Sequence, residues 1–234
     1  MKKIGILGGL GPESTVEYYK GIIHDYKKLT NDENFPQIFI NSINMTEIMN
    51  YLGNDDTEKL VNVLSAEINK LEKSGADFIA IASNTPHCVI DQLMQRASVP
   101  IISIVEETCK YAQKNKLKRI LLTGTIFTMK KDFYIRAFQK NNIECVVPDD
   151  KDKEIIKDII FLNLENGIIL EKDKNTFKEL CNKIIKDKNI DGLVLGCTEL
   201  PLLVNQKDFN IPVLDTMDIH INSILEKLIG GDVK

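Results

Sequence analysis

Two polar stretches of this sequence carry side chains suited to moving a proton on and off carbon. One is Gly196-Cys197-Thr198-Glu199, which follows the mostly apolar run Ile190-Asp191-Gly192-Leu193-Val194-Leu195. Such a run, bounded by polar residues, reads as a buried strand of a parallel sheet. Ligands of open α/β sheets bind just beyond the carboxyl ends of the strands, so Cys197 falls where chemistry is done. Backbone N–H groups after the strand would hold a carboxylate and favour the thiolate. The other stretch is Ser83-Asn84-Thr85-Pro86-His87, after Asp77-Phe78-Ile79-Ala80-Ile81-Ala82. Serine does not ionise near neutral pH, so it is a poor base but a usable donor or relay. Two strand-end side chains in two similar halves suit removal of a proton from one face of a carbon and its return on the other. Asn84, Thr85 and Thr198, with neighbouring N–H groups, are candidates to bind an α-carboxylate and stabilise the charge that develops on it.

Each residue also has a plainer reading. A free cysteine at a strand end is commonly a small buried hydrophobe. Asn84 and Thr85 suit turn capping. Thr125 and Thr128 suit helix capping, which we prefer for Thr128. His87 reads as a helix-start residue without a chemical role. The flanking Thr198 and Glu199, and the echo of the pattern at Ser83, favour chemistry at Cys197.

The elements that must position these residues alternate regularly. Lys2–Leu7 reads as a strand, Gly8-Gly9-Leu10-Gly11-Pro12 as a tight loop, and Glu13–Leu29 as a helix. Glycines there let the backbone approach a ligand closely. The loop falls one residue short of a dinucleotide fingerprint. No acidic residue ends the next strand, Gln37–Ser42, where a ribose would need one, so the loop is read as carboxylate-binding through Gly9 and Leu10. Asn41, Asn44 and Glu47 are the polar groups nearby. Asp55–Ser74 is an amphipathic helix with Leu60, Val63, Leu64, Ile68 and Leu71 on one face. A helix over Pro86–Arg96, a short strand at Val99–Ser103 and a helix over Val105–Lys114 follow. The pattern then repeats. Lys118–Thr123 and Ile143–Val147 read as strands, and Thr128–Asn141, Lys153–Leu164 and Asn175–Asp187 as helices. Ile211–Leu214 is a last strand and Met217–Leu228 a closing helix. This order predicts an α/β fold of two doubly wound parallel-sheet domains: residues 1–100 plus 213–234, and residues 101–212.

Composition narrows the function. The 234 residues are 43% apolar and 27% charged, with a net charge of −4, an ordinary soluble globular balance. Without a basic block, nucleic acid is not an expected partner. No run reaches the length of a membrane span, and Gly8, Gly9, Gly11 and Pro12 break the apolar stretch after Met1-Lys2-Lys3, so no signal peptide or membrane association is expected. Five cysteines, widely spread and without a C-x-x-C pair, suggest free thiols in a reducing cytoplasm. His24, His87 and His220 show no metal-ligand spacing.

Four stretches in this order resemble the aspartate/glutamate racemase superfamily of cofactor-independent amino-acid racemases. They are Gly8-Gly9-Leu10-Gly11-Pro12-Glu13-Ser14-Thr15, Ser83-Asn84-Thr85-Pro86-His87, Gly124-Thr125 with Thr128-Met129-Lys130-Lys131-Asp132-Phe133-Tyr134, and Gly196-Cys197-Thr198-Glu199. The resemblance spans nearly the whole chain. It implies two pseudo-symmetric domains with the site between them, homodimers, and neither pyridoxal phosphate nor metal. It makes Cys197 the second of the family's two catalytic cysteines. Ser83 stands where the first would be, as a hydroxyl residue does in some of the members most similar to this chain. It further implies that Cys197 faces the α-hydrogen of the L-enantiomer. Substrate contacts are expected from Asn84, Thr85, Thr198, Glu199, Gly9, Leu10 and Thr125. Many aspartate racemases carry an arginine for the distal carboxylate after the second strand, where this chain has Asn44-Met45-Thr46-Glu47.

The reading favoured is a racemase of aspartate or glutamate, a small-molecule enzyme with Cys197 and Ser83 on opposite faces of the α-carbon. A one-thiol decarboxylase or isomerase of the same superfamily, an amino-acid-binding protein without turnover, and a nucleotide-binding protein stand as alternatives.

Overall fold

The apolar runs that end in the two polar stretches are fully buried strands. Phe78–Ile81 and Gly192–Gly196 have no exposed residue, the pattern of a parallel sheet covered on both faces. A computed structural model describes residues 2–30 and 33–230. The chain divides into two compact units, one running to Ile104 and resuming at His220, the other comprising Val105–Ile219.

In the first unit the elements are β1 (Ile4–Gly8), α1 (Pro12–Thr30), β2 (Ile38–Ser42), α2 (Met45–Gly53), α3 (Thr57–Lys73), β3 (Phe78–Ile81), a 3-10 turn over Thr85–Val89, α4 (Ile90–Arg96) and β4 (Ile101–Ile102). The four strands are parallel, in the order β2-β1-β3-β4. Helix α3 lays Leu60, Leu64, Ile68 and Leu71 into the core as its periodicity predicts, with Val61 rather than the half-buried Val63 beside them. Helix α2 is an addition to the predicted elements. Asn44 caps it, its side chain accepting from the Thr46 N–H at 3.1 Å.

After α5 (Ile104–Lys114), the second unit holds β5 (Arg119–Gly124), α6 (Ile126–Lys130), α7 (Phe133–Lys140), β6 (Glu144–Val146), α8 (Asp150–Asp158), α9 (Glu171–Lys188), β7 (Gly192–Gly196), α10 (Leu200–Leu203) and β8 (Val213–Asp215), and α11 (Thr216–Ile229) starts there and passes into the first unit at His220. Its sheet is parallel in the order β6-β5-β7-β8. Numbered within each unit, both sheets read 2-1-3-4, so the fold is α/β with the same winding twice.

Three differences from the expected elements bear on the site. The predicted helix over Thr128–Asn141 is two helices, because Lys131 is extended (φ −78°, ψ 150°) and ends α6 before α7 starts. Thr125, not Thr128, caps α6, accepting from the Thr128 N–H at 3.2 Å. The predicted helix over Lys153–Leu164 ends at Asp158 and continues as a wider π-type turn over Ile159–Asn163 and a 3-10 turn over Leu164–Asn166. The strand expected to open the return to the first domain, β8, instead pairs with β7 through Leu193–Val213 and Leu195–Asp215. Met1, residues 31–32 and residues 231–234 of the expected first domain lie outside the described residues.

Candidate active site

A 2-1-3-4 winding reverses direction between its first and third strands, and the crevice for a ligand opens at the carboxyl ends of those two strands. In the first unit these ends carry Gly8-Gly9-Leu10 after β1 and Ala82-Ser83-Asn84 after β3. The two are held level by the Ala82 N–H donating to the Leu7 carbonyl at 2.9 Å. In the second unit they carry Gly124-Thr125 and Gly196-Cys197, with Gly124 paired to Gly196. Ser83 and Cys197 therefore occupy equivalent places, each in the turn leaving the third strand of its own sheet.

Around Ser83 everything is enclosed: Ser83 is 8% exposed, Asn84 3%, and His87 has no exposed surface. The His87 ring Nδ1 lies 3.0 Å from the Ser83 carbonyl oxygen. Burial and the neighbouring His220 drive its pKa down to about 3, so the ring is neutral. The glycine loop beside it is close-fitting for internal reasons. Thr15 Oγ1 accepts from the Gly9 N–H at 2.8 Å and donates to the Gly11 carbonyl. A Cβ on Gly8 would meet the Thr15 side chain at 2.4 Å, and one on Gly9 (φ +80°) would meet the Ile43 carbonyl at 2.3 Å. The glycines that suggested a ligand cradle thus admit Thr15 and the backbone after β2. Leu10 is half-buried at the loop's tip.

The Cys197 thiol is 4% exposed and donates to Glu199 Oε2 at 2.9 Å; the Thr198 hydroxyl donates to the same oxygen at 2.9 Å. The expectation of a favoured thiolate is overturned. Burial, then the Glu199 charge and hydrogen bond, push the thiol well above its ordinary range, and Glu165 adds to the effect. Glu165, in the 3-10 turn before α9, was not picked out from the sequence. Partial burial of its carboxyl group and the Glu199 charge push it up to about 7. Its turn follows a break in the α8 pattern that no proline or glycine announces. Thr125 is half-buried and spends its hydroxyl on capping α6. The structure thus joins Cys197, Thr198 and Glu199 in one cluster, and Ser83, Asn84, Thr85 and His87 in another.

This cluster makes a direct prediction. Glu199→Gln removes the carboxylate that raises the thiol, so the Cys197 titration should move to lower pH. The pH dependence of Cys197 alkylation, followed by mass spectrometry at that residue, measures it. An unmoved or raised midpoint would contradict the assignment.

The Thr-Met-x-x-Asp-Phe-Tyr stretch turns out to be structural. Phe133 and Tyr134 are buried, and the Tyr134 hydroxyl bonds to Thr108 and Thr216. Among the described residues no group of three His, Cys, Asp or Glu side chains is arranged to hold a metal ion, and no helix is long and apolar enough to cross a membrane.

Comparison with known proteins identifies the family. The family model for Asp/Glu/Hydantoin racemases matches residues 7–224. A broad-specificity amino-acid racemase of Bacillus subtilis is 29% identical over 216 residues, 91% of this chain and 92% of that protein. The crystal structure of an aspartate racemase homologue from Pyrococcus horikoshii is 37% identical, with a TM-score of 0.87 over 98% of this chain and 100% of that one. The aspartate racemase of Picrophilus torridus is 26% identical, with a TM-score of 0.78 over 100% of this chain and 96% of that one. With the match running from β1 into α11 and so including both Ser83 and Cys197, the chain belongs to the Asp/Glu/Hydantoin racemase family and is an amino-acid racemase.

Proposed function

We propose that this racemase acts on aspartate or glutamate, without cofactor or metal, by removing the α-proton through Cys197 on one face and returning one through Ser83 on the other. The observation that carries the reading is the equivalent placement of the two residues, each leaving the third strand of a sheet wound 2-1-3-4. The acidic substrate rests on likeness to the aspartate racemase homologue of Pyrococcus horikoshii. Working as a homodimer in the cytoplasm is part of the same proposal.

The chemistry begins from a protonated thiol. Glu199 accepts the thiol proton along the existing hydrogen bond, and the thiolate takes the α-hydrogen, becoming a thiol again. Charge moves onto the substrate carboxylate, for which Asn84, Thr85 and Thr198 with neighbouring amides are the proposed donors. The Ser83 hydroxyl delivers a proton to the opposite face and is reprotonated by solvent, while Glu199 releases to solvent the proton it took from the thiol.

Incubation of all common amino acids, in both enantiomers, in deuterated water tests this by proton NMR. We expect α-hydrogen exchange and inversion, greatest for aspartate or glutamate. Faster turnover of neutral or basic amino acids would overturn the acidic substrate. Binding without exchange would overturn catalysis by these residues.

A further inference from the structure

We infer that His87 is a positioning residue for Ser83: its imidazole supplies the hydrogen bond that Pro86 denies the Ser83 carbonyl. This rests on the reading of Ser83 given above. The 3-10 turn spans Thr85–Val89, with Ser83-Asn84 leading into it, and in such a turn a carbonyl accepts from the N–H three residues on. For Ser83 that residue is Pro86, which has no N–H. The next amide, His87 N–H, is already spent on the Asn84 carbonyl at 3.1 Å. A buried carbonyl left without a donor is destabilising. The His87 side chain folds back and places Nδ1 3.0 Å from that oxygen.

The partner also fixes the tautomer. A carbonyl oxygen only accepts, so Nδ1 carries the proton and donates. Nε2 is then a bare nitrogen, and it is buried without a hydrogen-bond partner. The neighbouring His220 has the opposite arrangement. Its Nε2 faces the Ile102 carbonyl at 3.0 Å and donates, so its Nδ1 accepts from the Tyr18 hydroxyl at 2.8 Å. His220 is fully satisfied by these bonds, whereas His87 leaves one nitrogen unpaired in order to hold one carbonyl. An aliphatic residue of similar volume would fill the same space without burying an orphan nitrogen. What it would lack is control of the Ser83–Asn84 peptide plane, which sets the direction of the Ser83 side chain and the Asn84 N–H.

The test uses the L-enantiomer of the best substrate in deuterated water and reads two rates. Exchange with retention needs only the Cys197 face; formation of the D-enantiomer also needs proton delivery by Ser83. His87→Leu should lower inversion by about tenfold or more, as small misplacements of reacting groups do, and change retention-exchange little. His87→Asn, which keeps a donor near the Nδ1 position, should recover most of the inversion. Equal loss of both rates in a folded His87→Leu protein, or inversion no better in His87→Asn than in His87→Leu, would overturn the inference. Ser83→Ala is the control: if it leaves inversion intact, the role of Ser83 fails, whatever His87 does. If His87→Leu does not fold, nitrogen-15 NMR of the unmodified protein decides, since the inference requires a neutral ring protonated at Nδ1. A ring protonated at Nε2, or charged at neutral pH, would end it.

Discussion

Cys197→Ala should abolish α-hydrogen exchange, a loss on the order of 10²- to 10⁴-fold, the usual size of a general acid–base contribution. The described geometry offers no substitute on that side. Glu199 would remain, but the Thr198 hydroxyl still engages its Oε2, and a carboxylate is a weak base for a C–H bond. Exchange is the right measurement, because the two directions of a racemisation are tied together by an equilibrium constant of one. Any asymmetry between a thiol face and a hydroxyl face is therefore invisible in kcat/KM for inversion. It is visible in deuterium entering each enantiomer with retention. Ser83→Cys should raise exchange of the slower enantiomer by more than tenfold, since it supplies a group that ionises within reach of neutral pH. Undiminished exchange in Cys197→Ala would remove the thiol from the chemistry. Equal gains for both enantiomers in Ser83→Cys would contradict one residue per face.

What was legible in the sequence was whatever local pattern decides. Strands β3 and β7 are continuous apolar runs because both faces of their sheets are covered, and their polar ends mark the turn at once. The glycines at 8 and 9 were visible as a tight loop, but not that Thr15 and the Ile43 carbonyl are what they make room for. The break between α6 and α7 falls at Lys131-Asp132, where Asp132 is the N-cap of α7 and was the available signal, while Thr125 fixes the start of α6. The protonation of Cys197 was misjudged for a physical reason. Strand-end amides favour a thiolate, but full burial opposes it, and a carboxylate two residues on accepts the proton's hydrogen bond. That acidic neighbour was present in Cys197-Thr198-Glu199 and was the available signal. Glu165 could not be found in this way, because its link to Glu199 is made only once the turn after α8 is folded. For His87 the sequence held half the argument: Pro86 announces a carbonyl without its usual amide, and only coordinates show which group takes its place.

The second large effect is acid lability of the first unit through the same histidine. His87 has a pKa of about 3 in the folded protein, against an ordinary value near 6.5, with burial as the chief cause and His220 the next. A folded pKa below the unfolded one means that the unfolded chain binds the proton more tightly. The stabilisation from a neutral His87 is therefore fully present above pH 6.5 and is lost as pH falls toward 3, by about 1.4 kcal/mol per pH unit across that window. Two carboxyls in the second unit act in the opposite sense. Glu165 and Asp215, raised to about 7 and about 6 chiefly by burial, bind protons more tightly when folded and gain stability as pH falls. The bare pH dependence of the protein mixes these contributions, so the measurement must be a difference. Unfolding free energies from urea titrations at pH 7, 6, 5 and 4 should be taken for the unmodified chain and for His87→Asn, which has no proton to bind in that range. The unmodified chain should lose stability more steeply between pH 6 and 4 than the variant, by roughly one proton's worth of slope. A constant offset would instead come from packing or from a changed hydrogen bond, and would not alter the slope. Parallel curves would mean that His87 takes up its proton equally well folded and unfolded, which a fully enclosed ring with a bare Nε2 facing no partner does not allow.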